Sequence, residues 1–305
     1  MSVGAALETS GYTEPEESLR DADIAMYVAK SAGRGQYAIF EPSMRERSVD
    51  RQRLDTQLRR AIERNEFRVF YQSIVDLRDD RTIGFEALVR WQHPERGLLD
   101  PSQFLEAARK TQILVAIDRF VLAAACRDAM AWRRAMPGSS LLMSVNVSSR
   151  QFELDDFAPF VTRVLEETGF DPTSLKLEIT ENTLMQNSHT VLESLERLRL
   201  LGIQFYIDDF GTGFSSLSYL AELPVDALKI DRSFVDRLGA RSKQERIASS
   251  IIDLAHRLEI KVIAEGVSSK TNRDRLVAIG CDYAQGYLFS RPLAWDRARS
   301  AIGAS

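Results

Sequence analysis

Three features of the chain predict an α/β fold. Short apolar segments alternate with amphipathic ones, a charged or amide residue closes nearly every apolar segment, and a hairpin precedes the series. Buried parallel strands read as short apolar runs, and the helices between them cover the outer face of the sheet. A series spread over ~250 residues fits a TIM-type (β/α)8 barrel. The hairpin modifies that barrel by making one strand antiparallel to the rest.

Residues 1–45 read as the end of another fold. Ser2–Leu7 suit a short strand, with a turn at Ser10-Gly11. Thr13-Glu14-Pro15-Glu16 has the pattern of a capping box, and the helix it opens runs to Ala32, where Gly33 stops it. A strand and one helix cannot enclose a core, so this piece is expected to be a remnant, cut from a longer protein, with the main domain spanning 46–305. A charged connector, Arg45–Arg53, leads into a helix with Leu54, Leu58, Ala61 and Ile62 at helical spacing, and Asn65 suits its end. Phe67–Val75 and Ile83–Trp91 are strand-like on either side of an Asp79-Asp80 turn, which makes the hairpin. Beyond it, helices are expected near 102–110, 113–135, 150–168, 184–201, 214–221, 241–258, 270–279 and 293–302. Strands are expected near 141–147, 174–180, 203–208, 227–231, 260–264 and 282–286.

The 305 residues carry a net charge of −4, which argues against DNA or RNA as a partner, since those want a basic surface. The longest apolar run, Phe120–Cys126, is far short of the ~20 residues of a membrane span. No charged n-region and apolar h-region open the chain. Cys126 and Cys281 sit in apolar surroundings far apart, a placement that leaves a disulfide open and favours buried thiols in a reducing compartment. These features together predict a cytoplasmic segment with no membrane contact of its own.

The stretch Gln204–Phe214 organises the rest. An apolar strand, Phe205-Tyr206-Ile207, breaks at Asp208-Asp209, and Phe210-Gly211-Thr212-Gly213 follows as a turn. Adjacent carboxylates repel unless a cation or protons neutralise them. Other strand ends bring Glu86 and Arg90, Asn146, Glu178 and Glu181, Lys229 and Asp231, Glu265, and Gln285. Any one of these alone is more often a solvated edge or a helix cap. In succession they are hard to explain so, because burying unpaired charge is costly. His93, His189 and His256 lie away from the expected strand ends, so the donors are all oxygens, which suits two magnesium or manganese ions. Asp208 can bridge the pair, with Glu86, Asn146 and Glu178 on one ion and Asp209 and Glu265 on the other. Two ions so placed stabilise the attacking and leaving oxygens of phosphoester cleavage.

Glu86-Ala87-Leu88-Val89-Arg90-Trp91, Asn146-Val147-Ser148, Glu178-Ile179-Thr180-Glu181, Asp208-Asp209-Phe210-Gly211-Thr212-Gly213, Lys229-Ile230-Asp231, Ala264-Glu265-Gly266-Val267 and Gln285-Gly286-Tyr287 resemble, in order, the motifs of the EAL domain family. The resemblance covers about residues 50 to 300. It implies a phosphodiesterase that opens cyclic di-GMP to linear pGpG by a two-metal hydroxide mechanism, in a modified barrel with one antiparallel strand. It places Glu86, Asn146, Glu178, Asp208, Asp209 and Glu265 on the metals, and Lys229, Glu265 and Glu86 in the catalytic step. Lys229 lies beside the attacking water, with Gln285 near it. Arg90 holds a phosphate, and Gln72, Leu88, Asp231 and Gln285 contact substrate. Glu181 pins the loop Asp209–Ser216, including Phe210, Gly211, Thr212 and Gly213, which also shapes a homodimer contact through the barrel. Ser73 departs from the family, which usually has proline there.

Asp21–Lys30 with Gly33-Arg34 resemble the end of a GGDEF (diguanylate cyclase) domain, with Gly35 where asparagine is usual; the turn that gives that family its chemistry is absent. The rival to an enzyme is a cyclic di-GMP receptor that has lost catalytic residues. The filled ligand positions and Lys229 favour the enzyme.

Overall fold

The computed structural model describes residues 2–7, 14–31, 35–109, 112–136, 141–185, 189–211, 220, 224–239 and 242–302. It divides into two compact units, Met1–Asn65 with Ser102–Ile113, and Glu66–Pro101 with Leu114–Ser305.

In the first unit β1 (Val3–Ala5) is followed by α1 (Pro15–Ser31), β2 (Tyr37–Ile39), α2 (Pro42–Glu63) and the short α3 (Leu105–Ala108). β1 and β2 pair in parallel. A side chain at Gly4 would come within 2.1 Å of the Ala22 carbonyl oxygen, so only glycine lets β1 lie this close to α1. The unit therefore has a second strand that the sequence did not announce, because three residues are too few to show a period. The expected connector Arg45–Arg53 is helical. α2 runs unbroken from Pro42, which suits a first turn, and arginine and glutamate are good helix formers. Asn65 takes φ 51° just past its end, a left-handed conformation that asparagine tolerates. The expected capping residue Thr13 and the stop at Ala32-Gly33 lie outside the described residues.

The second unit opens with β3 (Phe67–Asp76), β4 (Thr82–His93) and β5 (Gly97–Leu99), then α4 (Ile113–Ala135), β6 (Leu142–Asn146), α5 (Ser149–Phe152) and α6 (Phe157–Thr168). It continues with β7 (Leu175–Thr180), α7 (Glu181–Met185), α8 (His189–Leu200), β8 (Gln204–Phe210), β9 (Ala227–Ile230), α9 (Arg232–Val235) and α10 (Lys243–Arg257). β10 (Lys261–Ala264), α11 (Lys270–Ala278), β11 (Tyr283–Ala284), β12 (Leu293–Ala294) and α12 (Trp295–Ile302) end it. The sheet runs β3-β11-β10-β9-β8-β7-β6-β4 and closes through β4 back to β3, an eight-stranded barrel. β3 is antiparallel to both β4 and β11, while the other neighbours are parallel. The hairpin was the signal for that reversal.

Several expected helices are broken. Residues 102–110 form a 3-10 turn, Pro101–Gln103, and then α3. The span 150–168 divides at Glu153–Asp156, where Arg119 holds Asp156 at 2.5 Å and Phe152 packs edge-on against Phe157 at 5.2 Å. Of the span 184–201, residues 184–185 end α7 and His189–Leu200 form α8, and residues 186–188 lie outside the described residues. Residues 293–302 open as a strand on β3, and the strand expected over 282–286 keeps only its pairing at Tyr283–Ala284. Most of the helix expected over 214–221 lies outside the described residues. β4 extends to His93, past its expected end, and β5 folds back on it. The His93 Nδ1 accepts from the backbone N–H of Glu95 at 3.1 Å and of Arg96 at 3.2 Å, closing the turn between them.

Inside the barrel Ile74, Tyr206, Ala227 and Ile263 form a buried apolar layer. Side chains alternate along a strand, so the inward residue one step further up each parallel strand is polar: Asp208, Lys229 and Glu265. On the reversed β3 the same step leads backward, from Ile74 to Gln72. No helix among the described residues is long and apolar enough to cross a membrane.

Outside the barrel, Tyr71 is fully buried between β3 and α4. Its ring packs edge-on against Trp132 at 4.8 Å, and its hydroxyl donates to Asp128 Oδ2 at 2.5 Å. Burial and the Asp128 charge push the phenol pKa well up, so it stays a donor at neutral pH. Tyr71→Phe is expected to keep the packing and to lower stability by about 1–3 kcal/mol, read as a shift of the urea unfolding midpoint.

Candidate functional site

Lys229 stands at the centre of the polar layer, 1% exposed. Its Nζ lies 2.6 Å from Glu265 Oε1, 2.7 Å from Glu178 Oε2, 3.4 Å from Glu86 Oε2 and 3.6 Å from Asp208 Oδ1. Four strands supply those carboxylates; Asp208 and Glu265 stand one step above Tyr206 and Ile263 of the apolar layer, Glu178 one step above buried Lys176 and Glu86 one step above Gly84. Ser144 Oγ donates to Glu178 Oε1 at 2.5 Å, and Asn146 Nδ2 donates to Glu86 Oε1 at 2.6 Å. Gln285 Nε2 donates both to Glu86 Oε2 and, at 3.0 Å, to Gln72 Oε1. Residues more than 200 apart in sequence thus meet in one connected network.

One ammonium cannot neutralise four carboxylates. Burial tends to lower the Lys229 pKa, but Asp208, Glu178, Glu265 and Glu86 outweigh it and hold the amine firmly charged. Burial also tends to raise the Glu86 carboxyl, yet Lys229, Gln285 and Asn146 pull it below its ordinary value. Glu178 is pushed well up, by burial first and then by the Glu86 charge. Burial pushes Glu265 up to about 7 against the pull of Lys229, with Asp208 and Glu86 adding to the rise. The cluster holds protons because positive charge is short.

The expected donors fit divalent ions. Oxygen atoms of Asp208, Asp209 and Glu265 lie within 4.8 Å of one another, close enough to share an ion. Glu86 and Glu178 both face Lys229, and Asn146 donates to Glu86. Asp209 takes φ 55°, unusual outside glycine, near the end of β8 where its register with β9 shifts; its N–H donates to Asp208 Oδ1 at 3.0 Å. All of these donors are hard oxygens, as magnesium and manganese prefer.

A cavity of about 250 Å³ opens beside the cluster, lined by Gln72, Glu86, Leu88, Glu265 and Gln285 among the expected residues. Arg232, Gly266, Ser268, Gly286 and Tyr287 line it too. Gly266 has φ 69°, and a Cβ there would come within 2.3 Å of the Arg232 side chain, so the glycine is what admits that arginine. Arg90, two residues beyond Leu88, is ion-paired with Asp100 at 3.0 Å and lies 5.7 Å from the centre of the Phe70 ring. Asp231 stands apart from the cluster, capping α9 through the Ser233 N–H at 2.9 Å. Glu181 begins α7 and is buried, its Oε2 without a partner among the described residues. Phe210 is buried and Gly211 takes φ 94°; Thr212 and Gly213 lie outside the described residues. Ser144 was missed, although its place two residues before Asn146 on one face was a usable signal. Tyr287 lay within a noted motif and was not singled out.

A family model described as "EAL domain" matches residues 55–292. The chain is 38% identical over 303 residues to the bifunctional diguanylate cyclase/cyclic di-GMP phosphodiesterase MucR of Pseudomonas aeruginosa, covering 99% of this chain and 44% of that protein. It is 37% identical over 292 residues to the cyclic di-GMP phosphodiesterase PdeR of Escherichia coli, covering 96% of this chain and 44% of that protein. An uncharacterized Mycobacterium tuberculosis protein is 40% identical over 304 residues, covering 100% of this chain and 49% of that protein. The chain thus spans about half or less of the length of these curated relatives. Among solved structures, the PaMucR phosphodiesterase in complex with c-di-GMP matches with a TM-score of 0.76 and 39% identity, over 81% of this chain and 99% of that one.

Lys229→Met is expected to leave the buried carboxylates without their counter-charge and to cost about 3–5 kcal/mol of stability in metal-free buffer. Thermal melts with and without magnesium check it. The ion should raise the midpoint more in the variant than in the parent, because it supplies charge that the parent already has in part.

Proposed function

Because the chain belongs to the EAL domain family, whose model spans residues 55–292, we propose that it is a metal-dependent phosphodiesterase that opens cyclic di-GMP to linear pGpG. The observation that carries this reading is the ring of carboxylates on Lys229, with every expected oxygen donor present, beside a cavity reaching Leu88. The relatives named for that activity, and the similar structure that holds c-di-GMP, support it.

In this reading Glu86, Asn146, Glu178, Asp208, Asp209 and Glu265 hold two magnesium or manganese ions. Bound there, such ions neutralise the carboxylates and stabilise charge developing on the transferring phosphoryl group. Lys229, fixed in its charged form, donates hydrogen bonds to the attacking water and orients it for in-line attack. Glu265, an ion donor in this reading, also serves the catalytic step beside Lys229, 2.6 Å away. Arg90 exchanges Asp100 for a substrate phosphate, and its planar fork suits that ligand. Gln72, Leu88 and Gln285 line the cavity where the nucleotide sits, and Asp231 contacts substrate from the start of α9. Glu181 steadies the loop after β8. The same resemblance carries a homodimer through the barrel, while charge, apolar pattern and thiols carry a cytoplasmic setting. Residues 1–45 are read as the remnant of a diguanylate cyclase domain, and no residue of the acidic cluster comes from them.

Incubation with cyclic di-GMP and magnesium should yield pGpG, and a chelator should stop it. Glu86→Ala should reduce turnover by at least ~100-fold, measured by chromatography of the products. Near-normal turnover in that variant would remove Glu86 from the ligand set.

A further inference from the structure

We propose that Ser73 and Ser290 are positioning residues for the phosphodiesterase reaction, a hydroxyl pair that fills a gap in the barrel wall and, through the Gln72 amide, aims the Gln285 amide at Glu86. The proposal rests on the functional reading above.

The gap is a matter of strand pairing. On one edge of β3, β12 pairs with Phe70 and Tyr71, and β11 pairs with Val75 and Asp76. Between them the chain leaves the sheet at Gln285 to build the loop that lines the cavity. The Ser73 N–H therefore has no strand to donate to, and a buried N–H without an acceptor is costly. Ser290 supplies one. Its Oγ accepts from the Ser73 N–H at 3.2 Å and lies 2.8 Å from Ser73 Oγ, in reach of a second bond. Ser73 is 4% exposed, so both bonds are shielded from water.

The pair also reaches the acidic cluster. The Ser290 carbonyl accepts from Gln72 Nε2 at 3.0 Å, which fixes the amide so that its Oε1 faces Gln285. Gln285 Nε2 then bridges Gln72 Oε1 and Glu86 Oε2. An amide has distinct donor and acceptor ends, so reversing either one would set oxygen against oxygen. Ser290 is also tied to the start of its own turn, its N–H donating to the Gly286 carbonyl at 3.1 Å. Gly286 in turn packs on the Val267 backbone, where a Cβ would come within 2.2 Å. Moving Ser290 would thus turn Gln72, and through Gln285 shift the oxygen of Glu86 that faces Lys229.

The test uses the whole chain with Ser73→Ala, Ser290→Ala, the double variant and Ser290→Thr. Calcium binding is followed by calorimetry, and kcat and KM by cyclic di-GMP hydrolysis. Ser290→Ala should weaken calcium binding and lower kcat, each by about 10-fold, with KM little changed. Ser290→Thr, which keeps the hydroxyl, should restore both. The double variant should be no worse than Ser290→Ala alone, since both changes break one link. Parent-like calcium affinity and kcat in Ser290→Ala would overturn the proposal. So would additive losses, or a loss that tracks melting temperature and is not restored by threonine. If the parent chain does not hydrolyse cyclic di-GMP, the phosphodiesterase reading fails, and the calcium measurements still decide whether the pair positions Glu86.

Discussion

A single buried ammonium faces more carboxylate charge than it can neutralise, and the interior of the barrel is arranged around that shortage. Lys229 is held between Glu178 and Glu265, with Glu86 and Asp208 slightly further out. Such a cluster is a poor stabiliser, since desolvating several charges costs more than one cation returns. Part of the layer beneath it is apolar, built from Ile74, Tyr206, Ala227 and Ile263. Raised proton affinity at Glu178 and Glu265 is the metal-free solution to the same shortage, and divalent ions are the other. Sites that violate the local rules of burial are where function is expected.

The reversed strand decides how that cluster is reached. Because β3 runs against its neighbours, Gln72 lies before Ile74 in sequence yet above it in the barrel, beside Glu86 and Gln285. The same strand receives β11 and β12 on one edge with a break between them. The break releases the chain to form the wall of the cavity, including Gly286 and Tyr287. Backbone strain gathers at the same level. Asp209, inside β8 where its pairing with β9 shifts, and Gly211 and Gly266, just beyond strand ends, all take positive φ, where the chain must turn sharply while presenting a side chain or making room for one.

Much of this was legible in the amino-acid order. Apolar period and strand-end polarity are local properties, so the barrel, the hairpin and the ring from Glu86 through Glu265 could be placed from neighbouring residues alone. Asp208-Asp209 after Phe205-Tyr206-Ile207 already called for neutralisation by a cation or by protons, whatever the fold. The failures were local as well: β2 is too short to show alternation, and α2 hides in a run of charges that are nonetheless good helix formers.

What the sequence determined by itself is therefore the alternation of strands and helices around the barrel, the reversal at the hairpin and the chemical type of the site, because each is written in short-range periodicity and residue class. The tertiary structure alone decided which groups pair. Lys229 became the hub of four acids, Arg90 turned to Asp100, Asp231 capped α9 instead of joining the cluster, and Ser290 met Ser73 across 217 positions. No local pattern encodes those partners. Closing the barrel sets the distances between strand ends, and a hydrogen bond exists only where that closure brings donor and acceptor within reach.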